Sequence, residues 1–276
     1  MKKDLAKLTK QITILAILII FTCFNSRTVQ AQTEIPNSHY VVVDYLKVNP
    51  GDHSRYLDVE QQIWKPMHQE RINQGIIMSW RLYAVEFTGS ADDYNYVTIT
   101  VYDDPVKLEN PWNADIPAKV HRGMTVEEIM DRTTKVRDYV RSELYYCVAS
   151  APEVPLKNPA KYMQVNFMKV DTGMESEYEG LEKNIWMPIH NESISSGRTV
   201  GWGLWSVLFP RGEGRPYQYI TLNTFSDYSY VFQLDFSIPF KAIHPDKDYS
   251  EMIGKTEEAR TIMRSELWDL IDYVVR

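Results

Sequence analysis

Residues 63–70 read IWKPMHQE, and residues 185–192 read IWMPIHNE. Ile, Trp, Pro, His and Glu recur at the same spacing, 122 positions apart. When the chain is slid along itself by 122 residues, nineteen of the 48 positions in 40–87 are identical to those in 162–209. Composition alone does not produce such a match, so the chain carries an internal duplication. The identities include Tyr40/Tyr162, Lys47/Lys169, Tyr56/Tyr178, Glu60/Glu182, Gly75/Gly197 and Trp80/Trp202. After one extra residue in the following loop the offset becomes 123. Tyr94 then matches Tyr217, His121 matches His244, and Arg141-Ser142-Glu143-Leu144 matches Arg264-Ser265-Glu266-Leu267. Residues 105–115 and 228–237 align poorly. Between the halves lies APEVPLKNPA, 151–160, whose three prolines read as a stiff extended linker.

Each half has the same predicted element order. Residues 40–48 are an almost continuous apolar run ending at Asn49-Pro50-Gly51, a strand and a turn. From 53 to 73, Tyr56, Val59, Ile63 and Met67 recur at helical spacing, and Gly75 is a natural stop. Strands are expected over 78–87 and 94–102, a helix near 125–141 and a last strand near 143–149. The order βαββαβ is that of a ferredoxin-like unit. In 80–87, Trp80, Leu82 and Ala84 share one face, and Tyr83, Val85 and Phe87 share the other. Both faces are apolar, so a sheet covered by helices on one side needs a second cover, and the equivalent sheet of the other half is the simplest one. The predicted fold is therefore α+β: two tandem ferredoxin-like repeats, 32–150 and 161–276, packed sheet to sheet as one pseudo-dimeric barrel.

On this topology and duplication the chain resembles the dimeric α+β barrel superfamily, in the tandem form where two fused repeats replace a homodimer. The resemblance spans the mature chain. It implies a small-molecule pocket between sheet and helices. Members include cofactor-free monooxygenases, haem-degrading and haem peroxidase-like enzymes, isomerases and members with no known reaction. No motif selects one of these groups, so no family active-site residue transfers to this chain and no cofactor is assigned.

The N-terminus reads as a targeting segment. Lys2, Lys3, Lys7 and Lys10 precede an apolar run from Ile12 to Phe24, and Val29-Gln30-Ala31 is a small-residue cleavage pattern. The expectation is a cleaved signal peptide, 1–31, and a secreted or periplasmic product beginning at Gln32. Removing five basic residues and Asp4 from totals of 30 and 37 leaves 25 basic and 36 acidic residues, a formal charge of −11. Such an acidic product is a poor candidate for binding nucleic acid or anionic lipid. The apolar run is shorter than the ~20 residues needed to span a bilayer, so no stable membrane insertion is expected after cleavage. Cys147 is the single mature cysteine, which excludes an internal disulfide.

The repeated motif also suggests chemistry. On a helix Glu60, Trp64 and His68 fall at i, i+4 and i+8, as do Glu182, Trp186 and His190. Each stripe runs beside the core stripe, where a pocket rim would lie. An imidazole fixed by a carboxylate can act as a base, which makes His68 and His190 the candidate catalytic groups. An indole offers a flat wall to a planar ligand. Pro66 and Pro188 interrupt the helical hydrogen bonding and are expected to kink or break the helix. The competing reading is that the tryptophans fill the helix–sheet gap and each His68 or His190 bonds a carbonyl freed by proline. Candidate ligand-binding residues are Glu60, Trp64, Glu70, Trp80, His121 and Arg141, with Glu182, Trp186, Glu192, Trp202, His244 and Arg264 as their counterparts. Arg137 and Arg141 recur as Arg260 and Arg264, read either as complements to a helix end or as an anion clamp. No His/Glu spacing supports a metal site. Three function classes stay open: an exported small-molecule-binding protein, a cofactor-free, haem-dependent or proton-transfer enzyme acting on a planar compound, and a structural or partner-binding domain.

Overall fold

The computed structural model describes residues 39–152, 158–233 and 235–276. The signal-peptide reading of 1–31 lies outside these residues, as does the middle of the proline-rich linker. Eight strands, β1 Tyr40–Lys47, β2 Ser79–Val85, β3 Tyr96–Tyr102, β4 Asp138–Ala151, β5 Tyr162–Val170, β6 Gly201–Phe209, β7 Tyr219–Phe225 and β8 Arg260–Val275, form one closed antiparallel barrel. Its order is β1-β3-β2-β8-β5-β7-β6-β4. Outside it lie the helices α1 His53–Val59, α2 Lys65–Asn73, α3 Ile116–Val120 and α4 Val126–Thr134 in the first half. The second half has α5 Glu175–Leu181, α6 Met187–Ser195, α7 Ser237–Ile243 and α8 Tyr249–Ala259. Among the described residues no helix is long and apolar enough to cross a membrane.

The two-faced strands are explained by this closure. Tyr83 and Val85 belong to a buried cluster inside the barrel, with Tyr45, Phe167, Ile220 and Trp268. Trp80 and Leu82, on the other face of β2, pack under the helices with Tyr56 and Ile72. Phe87 does not share the barrel face expected for it. β2 ends at Val85, and Phe87 sits beyond it at φ 58°, 82% exposed.

Halves that only faced each other would leave four sheet edges open. Here the edges are hydrogen-bonded as well. β4 pairs with β1 over Asp138–Tyr146 and with β6 over Leu144–Ala151. β8 pairs with β5 near its start and with β2 near its end. These two strands are longer than the sequence reading allowed because each serves both halves. The helix expected near 125–141 stops at Thr134, so Arg137 is past its end, and Arg141, Arg260 and Arg264 are strand residues.

The repeated Tyr94/Tyr217 and Glu143/Glu266 acquire a meaning in the barrel interior. The Tyr217 hydroxyl of the second half donates to Glu143 of the first at 2.8 Å. The Tyr94 hydroxyl of the first half donates to Glu266 of the second at 2.7 Å. Each half thus places a carboxylate, Glu143 buried and Glu266 partly so, where the other half's tyrosine reaches it. Residues 32–150 expressed alone are expected to self-associate, because β2 and β4 lose their partners β8 and β6 and expose unpaired edges. Light scattering behind size exclusion would measure this, and a well-folded monomeric half would show that the seams are dispensable.

Candidate functional site

The helix of the repeated motif is continuous but not uniform. Between α1 and α2 the residues Glu60–Trp64 form a π turn, repeated as Glu182–Trp186 between α5 and α6. The Lys65 amide donates to the Glu60 carbonyl, five residues back, and Met187 donates likewise to Glu182. Pro66 and Pro188 follow at once and have no N–H to offer. The widened turn absorbs that loss. Trp64 keeps helical angles, φ −76° and ψ −44°, so the expected break is instead a local change of winding. His121 Nε2 donates to the Ile63 carbonyl within this turn at 2.9 Å, and His244 does the same to Ile185 at 3.1 Å. The carbonyl-bonding histidines are therefore His121 and His244, not His68 and His190. They brace the turn from behind.

The stripe Glu60–Trp64–His68 faces the sheet and lines a cavity of about 430 Å³ between it and the helices. Trp80, Asp44, Arg71, Trp112 and Arg137 complete much of its wall. The His68 ring lies flat on Trp80, with centroids 4.6 Å apart and planes at 14°. Trp112 stands edge-on to Trp64 at 5.5 Å. Arg71 Nη1 donates to His68 Nδ1 at 3.0 Å, Nη2 donates to the Tyr102 hydroxyl at 2.7 Å, and the guanidinium rests 4.1 Å over Trp112. Asp44 accepts from Tyr139 at 2.6 Å and from Ser142 at 2.7 Å.

This geometry corrects the role expected of His68. Its Nδ1 lone pair is occupied by Arg71, so in the neutral ring Nε2 carries the proton. Burial first, then Arg71 and Arg137, hold the imidazole well below its ordinary range. With Nδ1 engaged, the neutral ring offers the cavity an Nε2–H and no free lone pair. The group with suitable acidity is Glu60, only 2% exposed. Burial pushes its carboxyl up to about 7, against the pull of Arg137. Arg137 Nε stands 3.3 Å from Glu60 Oε1 without the alignment of a hydrogen bond.

The second half repeats the arrangement in a cavity of about 260 Å³ lined by Glu182, Trp186, His190, Trp202 and Arg260. Burial raises Glu182 to about 7 and lowers His190 to about 3, so His190 is no better placed as a base near neutrality.

Other sequence candidates fall elsewhere. Glu70 is bound to Lys119 of α3 at 2.6 Å and to Gln74 at 2.9 Å, away from the cavity wall, and Glu192 is exposed. Arg141 and Arg264 point into the barrel. Arg141 lies 3.9 Å over Tyr45 and 3.2 Å from Glu143, and Arg264 is 2.6 Å from Glu266. The cause is a bulge in each seam strand. The register shifts between Tyr45 and Leu46 opposite β4, and between Phe167 and Met168 opposite β8. One extra residue flips every following side chain. Tyr139 therefore lines the cavity with Arg137 while Arg141 does not. Sequence reasoning missed Asp44, Arg71 and Tyr102; the i, i+3 spacing from His68 was a signal for Arg71, whereas Asp44 and Tyr102 join them only when β1, α2 and β3 are assembled. The half-buried thiol of Cys147 is pushed up by burial.

Among the described residues no group of three or more His, Cys, Asp or Glu side chains is placed to hold a metal ion. Haem, which the resemblance brings into consideration, does not fit the first cavity, because its one imidazole has its lone pair engaged by Arg71. The second cavity, about 260 Å³, falls below the ~300–1,000 Å³ of a drug-sized ligand site, and a macrocycle needs more.

No family model and no curated protein matches the chain. Solved structures do. A candidate monooxygenase from Fusobacterium nucleatum superposes with a TM-score of 0.56 at 9% identity, covering 87% of this chain and 94% of the other. An anthrone oxidase-like protein gives 0.53 at 9% identity, covering 87% and 93%. A candidate monooxygenase from Lactobacillus acidophilus NCFM gives 0.52 at 9%, covering 87% and 96%. At such identities the likeness is one of fold, and with its closed eight-stranded antiparallel barrel and outer helices the chain has the dimeric α+β barrel fold.

Proposed function

We propose that the chain is an exported small-molecule-binding protein built from two fused ferredoxin-like repeats, and that its first cavity moves a proton between Glu60 and a planar organic ligand. Export rests on the layout of residues 1–31, and fusion rests on the duplication and the repeated element order. The observation that carries the catalytic reading is the buried Glu60 carboxyl, on the cavity wall and raised to about 7. A base with that acidity is half ionised near neutrality, where general base catalysis is most efficient.

A planar ligand fits against Trp64, Trp112 and the His68–Trp80 stack. Glu60 takes a proton from an acidic C–H or O–H of the ligand, and the electron pair stays on the ligand as an enolate or phenolate. Arg137 and Arg71 stabilise that anion. Return of the proton at another atom is an isomerisation. Attack of the electron-rich anion on dioxygen is the second reading, favoured by the names carried by the fold neighbours; it shares the Glu60 step.

The test is deuterium exchange at C1 of 2-tetralone, a ketone fused to a planar aromatic ring, followed by NMR. The folded protein is expected to accelerate exchange, with the rate rising as pH passes through about 7. Glu60→Gln is expected to reduce the acceleration ~10²–10⁴-fold. Saturable binding without exchange would leave a binding protein and remove the catalytic part. Equal exchange by the parent and Glu60→Gln would rule out Glu60 as the base, and no binding at all would favour a structural domain.

A further inference from the structure

The second cavity keeps the architecture of the first but not its charges. His190 lies flat on Trp202, with centroids 4.9 Å apart and planes at 12°, and Phe236 stands edge-on to it at 4.9 Å. What has changed is the cation on the imidazole. Arg71 bonds His68 Nδ1 and the Tyr102 hydroxyl in the first half. The repeat-equivalent residues are Ser193 and Phe225. Asp44 is replaced by Asn166, and Tyr139 by Ile262. The first wall thus sets two guanidinium groups against Asp44 and Glu60, whereas the second sets Arg260 alone against Glu182 and Glu257.

Three polar atoms on residues lining the second cavity are left without a hydrogen-bond partner: the Arg260 Nε donor, and two on residues only 6% exposed, His190 Nδ1 and Asn223 Oδ1. Buried polar atoms are nearly always paired, and an unpaired one is costly. Asn223 Oδ1 can only accept. His190 Nδ1 corresponds to the atom that accepts from Arg71 in the first half. A ligand carrying N–H donors would supply what Arg71 supplies there.

We propose that the second cavity is a separate binding site for a single-ring planar molecule presenting N–H donors, an aryl amidine being the simplest case. The ring packs against Trp186 and the His190–Trp202 stack, and its donors serve His190 Nδ1 and Asn223 Oδ1. The acidic balance of the wall favours a cation over an anion. A single ring suits about 260 Å³. No residue of the first cavity takes part, so the site is independent of the proton-transfer reading.

Calorimetric titration of the full chain with benzamidine is the experiment, with benzoate as the same ring bearing the opposite charge. One benzamidine per chain is expected to bind saturably, undisplaced by benzoate. Asn223→Leu and His190→Phe are expected to weaken binding at least tenfold. Asn223→Asp is expected to tighten it, which a merely structural asparagine would not do. Arg71→Met is expected to leave it unchanged. Each variant is first checked by its melting curve, and Asn223→Asp carries the test if His190→Phe does not fold. The absence of saturable binding to the folded parent would overturn the proposal. So would loss of binding in Arg71→Met with retention in His190→Phe, or indifference to every Asn223 change.

Discussion

Replacing Glu143 by alanine is expected to cost about 3–5 kcal/mol of stability, seen as a fall of roughly 10 °C in Tm for a chain of this size. Glu143 is 1% exposed and receives hydrogen bonds from five side chains of both halves. Tyr45 and Tyr145 donate from the first half, and Tyr217 donates at 2.8 Å from the second. Arg215 Nη1 adds an ion pair at 2.9 Å, and Arg141 adds one at 3.2 Å. Removing the carboxylate leaves the Arg141 and Arg215 guanidinium groups without their shared counter-ion and the Tyr217 hydroxyl without its acceptor, while Tyr45 and Tyr145 keep only each other at 3.2 Å. Glu266→Ala is expected to cost less, because the Arg264 side chain is 47% exposed and its charge can turn to water. Urea unfolding of both variants would measure the difference. Equal, small losses would mean that the barrel interior is held by its apolar cluster alone and that the reciprocal carboxylates add nothing.

Between about pH 4.5 and 6.5 the contributions of the four buried titratable groups of the two cavities to the parent's pH dependence are expected nearly to cancel. In the unfolded chain the carboxyls of Glu60 and Glu182 titrate near 4.5 and the imidazoles of His68 and His190 near 6.5. In this window the unfolded chain therefore carries protons on both imidazoles and on neither carboxyl. The folded chain does the reverse, since both carboxyls are raised to about 7 while His190 falls to about 3 and His68 lies well below 6.5. The two states bind equal numbers of protons at these four groups, and the pH slope cancels. Below pH 4.5 the unfolded carboxyls also take protons, and stability falls with pH.

The double variant Glu60→Gln, Glu182→Gln removes the folded state's two protons from this balance. Its stability relative to the parent is then expected to fall as pH drops from 6.5 to 4.5, by about 2.7 kcal/mol per pH unit as an upper limit, from ~1.36 kcal/mol per pKa unit for each group. His68→Phe, His190→Phe should change the slope in the opposite sense. Taking differences from the parent cancels the surface carboxylates common to all three proteins. Melting curves across that range would decide it. A double glutamine variant that runs parallel to the parent would show that these carboxyls are ionised in the folded protein, and the proposed base would lose its poise near neutrality.

What sequence alone determined follows from short periods. A shift of 122 residues exposes the duplication, alternation along 80–87 shows a strand apolar on both faces, and helical spacing aligns Glu60, Trp64 and His68. These are local geometry: a two-residue period sets a strand's faces and a 3.6-residue period sets a helix's. They sufficed for the α+β class and for finding two stripes on the cavity walls. They did not suffice where the period itself breaks. The bulges in β4 and β8 flip Arg141 and Arg264 away from the cavities, and the π turns carry Pro66 and Pro188 without a kink. Both depend on partner strands and on His121 and His244, which arrive from more than fifty residues away. Chemistry was decided there too. The i, i+3 spacing of His68 and Arg71 puts their contact within reach of the sequence, but nothing near Glu60 in sequence shows that burial shifts it toward neutrality. Protonation follows the surroundings of a group in space, and only the closed barrel with its helices brings those surroundings together.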